Sequence, residues 1–149
     1  MRMRSLLFLF FTLVTVAFVS AQQSAGQNIP SVILNDFATA YPEVTDYEWE
    51  RDGNLYQVEF ETAEDMDHEI WYDANGSIVR REIEIPTEQL PAAVLRAVAE
   101  DFDGYAIDDA ERVTTPDGEI FQMELEALLK EDWEVAFTAD GRLLSKEED

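Results

Sequence analysis

Three sets of side chains in this sequence could do chemistry. The only histidine, His68, opens the stretch HEIWYDANGSIV (68–79), and Asp73, Asn75 and Gly76 form a D-x-N-G within it. A histidine beside acids can move a proton or hold a metal. A D-x-N-G is also how a calcium loop begins, provided further oxygens and a late bidentate acid follow. The third set is carboxylates: Glu59, Glu61 and Glu69 recur as Glu124, Glu126 and Glu134. Such a stripe could hold cations or a basic partner, and two acids at a suitable separation could do acid–base work.

The elements that must position these residues occur twice. IPSVILNDFATAY (29–41) matches LPAAVLRAVAEDF (90–102) at an offset that holds through Glu50-Arg51 and Glu111-Arg112. The second copy then inserts Val113-Thr114-Thr115-Pro116. Beyond the insertion DGNLYQVEFE (52–61) matches DGEIFQMELE (117–126), and HEIWYDANGSIV matches WEVAFTADGRLL (133–144). This is an internal duplication. In each copy a proline (Pro30, Pro91) opens the first turn of a helix, where its missing N–H costs nothing. Ile33, Leu34, Phe37 and Tyr41, then Val94, Leu95, Val98 and Phe102, recur at helical spacing, and Pro42 and Gly104 stop the helices. Strands follow: Tyr56, Val58 and Phe60 share one face while Gln57, Glu59 and Glu61 share the other. Asp52-Gly53 and Asn75-Gly76 are hairpin turns. The second copy ends in a charged tail, Lys146–Asp149. The expected fold class is α+β: two tandem repeats, each one helix followed by about four antiparallel strands, with the helices on one face of an antiparallel sheet. A unit of about 60 residues buries little surface alone, so the two should share one sheet, with Glu84–Gln89 as the connection.

The duplication acts as an internal control. His68 aligns with Trp133, which can neither ligate a metal nor take a proton, so the shared role of the position is structural. Strand parity also points His68 toward the helix with Ile70 and Tyr72. The D-x-N-G runs on into Ser-Ile-Val-Arg-Arg rather than further ligands, and its counterpart, Thr138-Ala139-Asp140-Gly141, lacks the first acid. Both copies keep the turn and one keeps the ligands, so the reading is a hairpin turn. No nucleophile–base pair stands out, and the expectation is no enzyme, no catalytic residue, no dedicated metal site and no cofactor.

Two features remain as binding candidates. Glu59, Glu61, Glu69, Glu124, Glu126 and Glu134 share the parity facing away from the helices. They form either a binding stripe or a solvated face, and cross-strand carboxylates repel unless cations or a basic partner compensate. Trp71 has the same outward parity, as an exposed interface anchor or as a ring covered by neighbouring chain.

The bulk numbers narrow the partner. The formal charge of the 149 residues is −23, which repels nucleic acid and anionic lipid. Arg2 and Arg4 precede an uncharged apolar run, 6–19, and Val19-Ser20-Ala21 supplies the small residues of a cleavage site. That is a secretory signal with cleavage after Ala21; the run falls short of a comfortable membrane span. The expected organisation is a signal peptide (1–21), a disordered leader (22–28), repeat 1 (29–85) and repeat 2 (86–149), forming one globular unit. There is no cysteine, hence no disulfide and no lipid-bearing cysteine at the cleavage site.

On these residues the chain resembles the PepSY-like family of secreted bacterial proteins, tandem repeats with a fold related to the beta-lactamase inhibitor protein. The resemblance covers about residues 29–146. It rests on Pro30 and Pro91, Tyr41 and Phe102, Tyr56-Gln-Val-Glu-Phe and Phe121-Gln-Met-Glu-Leu, and the closing Asn75-Gly76 and Asp140-Gly141 turns. It implies a periplasmic or secreted protein, a link to peptidase inhibition, and a sheet face used for gripping a partner; it carries over no catalytic residue. The expected function is an exported, non-enzymatic module binding a basic protein or peptide of the cell envelope, with calcium or cation binding by the acidic stripe as the alternative.

Overall fold

In a computed structural model, the structure describes residues 28–63 and 66–148; the expected signal peptide, residues 1–21, lies outside them, as does the leader except Asn28. Each repeat is a helix and a four-stranded meander. The first consists of α1 (Ser31–Ala40), β1 (Glu48–Asp52), β2 (Leu55–Glu61), β3 (Asp67–Tyr72) and β4 (Ile78–Glu84). A 3₁₀ turn, Thr87–Gln89, leads into α2 (Ala92–Asp101), β5 (Ala106–Thr115), β6 (Gly118–Glu126), β7 (Trp133–Thr138) and β8 (Leu143–Glu148). All eight strands lie in one antiparallel sheet in chain order.

The helices start where the prolines dictate, but with each proline as the cap rather than inside the first turn, so they begin one position later than expected, at Ser31 and Ala92. Pro30 and Pro91 are extended caps, with ψ of 138° and 139°. Their carbonyls accept the first helical N–H groups, those of Ile33 and Leu34 at 3.0 and 3.2 Å and of Val94 and Leu95 at 2.9 and 3.1 Å. Each helix closes with an N–H to the carbonyl four residues back, Tyr41 to Phe37 and Phe102 to Val98, both 2.9 Å. Pro42 cannot extend the first helix.

Each helix buries a narrow apolar stripe. Ile33 and Phe37 of α1 sit on Trp49, Tyr56, Val58, Phe60, Ile70 and Tyr72; Val94 and Val98 of α2 sit on Phe121, Met123, Leu125, Val135 and Phe137. One rung runs through both cores: Phe60, His68, Ile83, Arg112, Phe121 and Phe137 are cross-strand partners in series from β2 to β7. Partners on a rung point the same way, so both helices cover the same side, and among the described residues no helix covers the opposite side of the sheet.

The four-residue insertion has a visible purpose. Val113 and Thr114 lengthen β5 and pair with Glu82 and Arg81 of β4, continuing the seam that Glu84↔Glu111 and Ile83↔Arg112 begin. The expected charged tail is itself a strand. β8 pairs with β7 from Phe137↔Leu143 to Trp133↔Glu148, and its charged, exposed residues suit an edge that must not recruit another chain.

Two turns dock on the helix starts. A Cβ on Gly141 would stand 2.5 Å from the Ala93 carbonyl oxygen of α2, and one on Gly76 would stand 3.0 Å from the Val32 side chain of α1. Both glycines have positive φ, +84° and +89°, which strains any side chain, and at Gly141 the fixed Ala93 backbone also leaves no room for one.

Candidate functional site

The open sheet face carries the carboxylates. From β1 to β4 the register opposes Glu48 to Glu59, Glu59 to Glu69, and Glu69 to Glu82, with Glu61 opposite Asp67 one rung along. At the seam Glu84 faces Glu111. In the second repeat the series is Asp109, Glu124, Glu134 and Glu147. The register thus brings together Glu59, Glu61, Glu69, Glu124 and Glu134 on the helix-free side. Glu126, facing Ala106 at the strand end, belongs to the rim.

Sequence reading missed the centre of this face. Arg80 of β4 is the one basic side chain of this parity among the described residues. Its Nε donates to Glu82 Oε1, and its Nη2 reaches across β5 to Gln122 Oε1 of β6 at 3.3 Å. Its guanidinium lies 5.5 Å from the centroid of Trp71, its cross-strand partner. The alternation Arg80, Glu82, Glu84 held the signal, but the apolar start of β4 masked it.

Of the two readings of Trp71, the covered ring is the one its burial fits. It points outward as parity required, yet it is only 9% exposed. It lies between Gln57 of β2 and Arg80 of β4. Val113 and Ala136, also buried and in neither helix core, share its outward parity. A tryptophan held this way is a support for Arg80 rather than a free anchor.

Burial and mutual repulsion raise Glu59, Glu69, Glu84 and Glu111 above the ordinary glutamate value. Glu111 is pushed up to about 7, first by loss of solvent and then by Glu82, Asp109 and Glu69. Glu69 is raised by burial, then by Glu82 and Glu59, against a hydrogen bond from Gln57 Nε2 at 2.6 Å. Glu59 is raised by burial, then by Asp67, Glu48 and Glu50, and Glu84 by burial, then by Asp109 and Asp67. Arg80 lowers Glu69 and Glu111 but leaves both raised. The face therefore holds negative charge against its own repulsion.

The other two candidates resolve as structure. His68 is 7% exposed and stacks on Phe60 at 5.0 Å between centroids, with Tyr41 edge-on at 6.1 Å. In the D-x-N-G turn, Asp73 Oδ1 accepts the backbone N–H groups of Asn75 and Ser77 at 2.8 and 2.9 Å. These bonds, that of Ser77 foremost, hold its carboxyl below the usual range. The oxygens a calcium ion would take already close the turn. In the second copy Thr138 Oγ1 does the same work, accepting from Arg142 N at 3.2 Å. Among the described residues no three acids or histidines converge to hold a metal ion, and no helix is long and apolar enough to cross a membrane.

Comparison with known proteins agrees with this geometry. The family described as "Putative beta-lactamase-inhibitor-like, PepSY-like" matches residues 21–80 and again, overlapping, 65–145. A BLIP-like protein from Bacteroides fragilis is 25% identical, superposes with a TM-score of 0.68, and is matched over 83% of this chain and 89% of its own. A DUF2874 family protein from Bacteroides uniformis is 20% identical, with a TM-score of 0.70 over 80% and 88% of the two chains. A structure from Bacteroides eggerthii titled as "putative periplasmic proteins" is 19% identical, with a TM-score of 0.72 over 82% and 90%. No curated protein matches the chain.

Proposed function

The chain belongs to the PepSY-like, beta-lactamase-inhibitor-like family, and we propose that it is an exported, non-enzymatic binding module that captures a basic protein or peptide of the cell envelope on its open sheet face. A periplasmic location is part of this reading, supported by the basic and apolar N-terminal sequence and by the description of the Bacteroides eggerthii structure. Inhibition of an envelope enzyme is the form of capture that the family description suggests.

The single observation behind the proposal is the register of like charges. Glu59, Glu69 and Glu82 oppose one another in series, as do Asp109, Glu124, Glu134 and Glu147. Directly opposed like charges destabilise a sheet. A basic partner would neutralise both series at once, and the stability sacrificed in the free protein would return as affinity and as rapid, salt-sensitive association. The cation alternative would rest on the diffuse field of the face alone, since no ligand group converges among the described residues.

The test is capture from a periplasmic extract with residues 22–149 as bait, at low and moderate salt, beside a Glu59→Lys, Glu124→Lys control. A partner held by the parent and lost by the control supports the proposal. A partner held equally by both removes the sheet face from the account. Absence of any partner, with a saturable micromolar calcium isotherm, would transfer the face to cation binding.

A further inference from the structure

Leu128 and Leu129, in the loop between β6 and β7, are 90% and 96% exposed; the next most exposed large apolar side chain among the described residues is Val32, at 49%. Leu129 is also the one non-glycine residue with positive φ among them, at +65°. A leucine enters the left-handed region only against steric strain, and such strain persists where the surroundings enforce it. Here they do. Ala127 N donates to Asp132 Oδ1 at 3.4 Å, and Lys130 N to Ala127 O at 3.5 Å. Tyr105 OH donates to Glu131 O at 3.2 Å and accepts from Trp133 Nε1 at 2.9 Å. Lys130 Nζ donates to Asp103 O at 3.2 Å and lies 4.7 Å from the centroid of the Tyr105 ring. The base of the loop is tied to the corner between α2 and β5 while its tip holds two leucines in water. The matching connection of the first repeat reads Thr62-Ala63-Glu64-Asp65-Met66, without a leucine, so the fold does not require the pair.

Building on the binding-module reading, we propose that this loop is a preorganised apolar anchor, which seats Leu128 and Leu129 in an apolar cleft of a folded protein partner whose rim is basic. The occupant follows from the surroundings. The acidic series Asp109, Glu124, Glu134, Glu147 crosses β6 and β7 just before the loop, about 10 Å back along the strand at roughly 3.3 Å per residue, and Glu126, Glu131 and Asp132 flank the tip. Two leucines flanked by acids complement an apolar hole with a basic rim. They do not suit an anionic bilayer or a second copy of a chain carrying −23, both of which those acids repel. Because the loop is already fixed, binding does not have to order it.

The test installs the photo-crosslinking residue p-benzoylphenylalanine at position 128, and separately at positions 59 and 134, in the full chain in its own cells. The cross-linked protein is identified, purified and titrated with the parent and variants. The expected result is a cross-link from 128 to a cleft with apolar walls and a basic rim. Leu128→Ser should weaken affinity about 10- to 100-fold with the salt dependence unchanged. Leu129→Gly should weaken affinity while leaving the melting temperature equal or higher, since it relieves strain; a merely structural leucine would not give that signature. Cross-links from 59 or 134 with none from 128 would overturn the anchor and leave the sheet face standing. A cross-link from 128 with Glu124→Lys, Glu134→Lys binding as the parent does would fail the sheet face and the basic rim, leaving the leucines alone as the contact. Cross-linking of the chain to itself, leucine-dependent binding to phosphatidylcholine vesicles, or no cross-link from any position would overturn the inference.

Discussion

The two repeats share a backbone plan and differ in what fills it. On the helix side the first copy is aromatic: Phe37, Trp49, Tyr56, Phe60 and Tyr72 occupy positions that the second fills with Val98, Ala110, Phe121, Leu125 and Phe137. Phe37 makes edge-on contacts with Trp49 and Phe60 at 5.6 and 5.2 Å between centroids. On the open side the first copy has Trp71 and Arg80 where the second has Ala136 and Ser145. The duplicated glutamines have also parted. Gln57 bonds a carboxylate within its own repeat, whereas Gln122 receives Arg80 from the other. The comparison teaches that the fold demands apolar residues under the helices. Chemistry on the open side is left free to vary, so asymmetry there is where a specific role can be written.

Truncation under the two helices should give the largest effects and break the symmetry of the cores. Phe37→Ala should cost about 3 to 5 kcal/mol, and Val98→Ala, the matching change under α2, less, about 2 kcal/mol. Because the sheet is continuous, both should lower one shared cooperative transition in thermal unfolding. Two separate transitions would show that the repeats fold independently.

The glycine turns should rank next. Gly141→Ala forces a methyl group onto the Ala93 carbonyl, and should cost about 2 kcal/mol or more through overpacking and positive φ together. Gly76→Ala meets only the movable Val32 side chain and should cost less. Gly53→Ala meets nothing within 4 Å, and should cost about 1 kcal/mol for its φ of +59° alone. Denaturation midpoints of the three variants test the order, and equal losses would mean that docking on the helix starts contributes nothing.

The charged face should show itself through pH. Glu111 titrates near 7 in the folded protein, above the ordinary glutamate value. A raised carboxyl favours the folded state when protonated, so this contribution is full below the ordinary value and is lost as pH rises through about 7. Glu59, Glu69 and Glu84 are raised in the same direction. The melting temperature should therefore rise as pH falls from 8 toward 5, opposite to common acid denaturation. Glu111→Gln should stabilise the protein at pH 8 by about 1 to 2 kcal/mol, after discounting for solvent screening, and flatten the profile between pH 5 and 8. An unchanged profile would mean that the opposed acids do not repel.

The smallest effect should come from Arg80. Arg80→Ala removes the stacking on Trp71 and the bonds to Glu82 and Gln122, and should cost about 1 kcal/mol. Removing the arginine's cover should also shift Trp71 emission to the red. Unshifted emission would show that Trp71 is covered by something other than the arginine.

Most of the frame was legible because periodicity and duplication report backbone needs directly. Alternation at Tyr56, Val58 and Phe60 placed the core face, and the match of His68 to Trp133 predicted a packed histidine. Three things were hidden for physical reasons. The strand character of the charged end of β8, from Lys146 to Glu148, comes from pairing with β7, not from its own residues. The cover over Trp71 comes from Arg80 on the next strand, and strand parity gives direction without depth. Leu128 and Leu129 look like core residues in sequence, since nothing local distinguishes a buried leucine from one held in water by a tethered loop.

The most direct test of the central claim, that the open acidic face captures a basic partner, is the association rate with that partner as salt is raised from low to physiological concentration. The account predicts a fall of about tenfold or more for the parent and a nearly flat, slow rate for Glu59→Lys, Glu124→Lys. A rate indifferent to both salt and the charge reversals would contradict it.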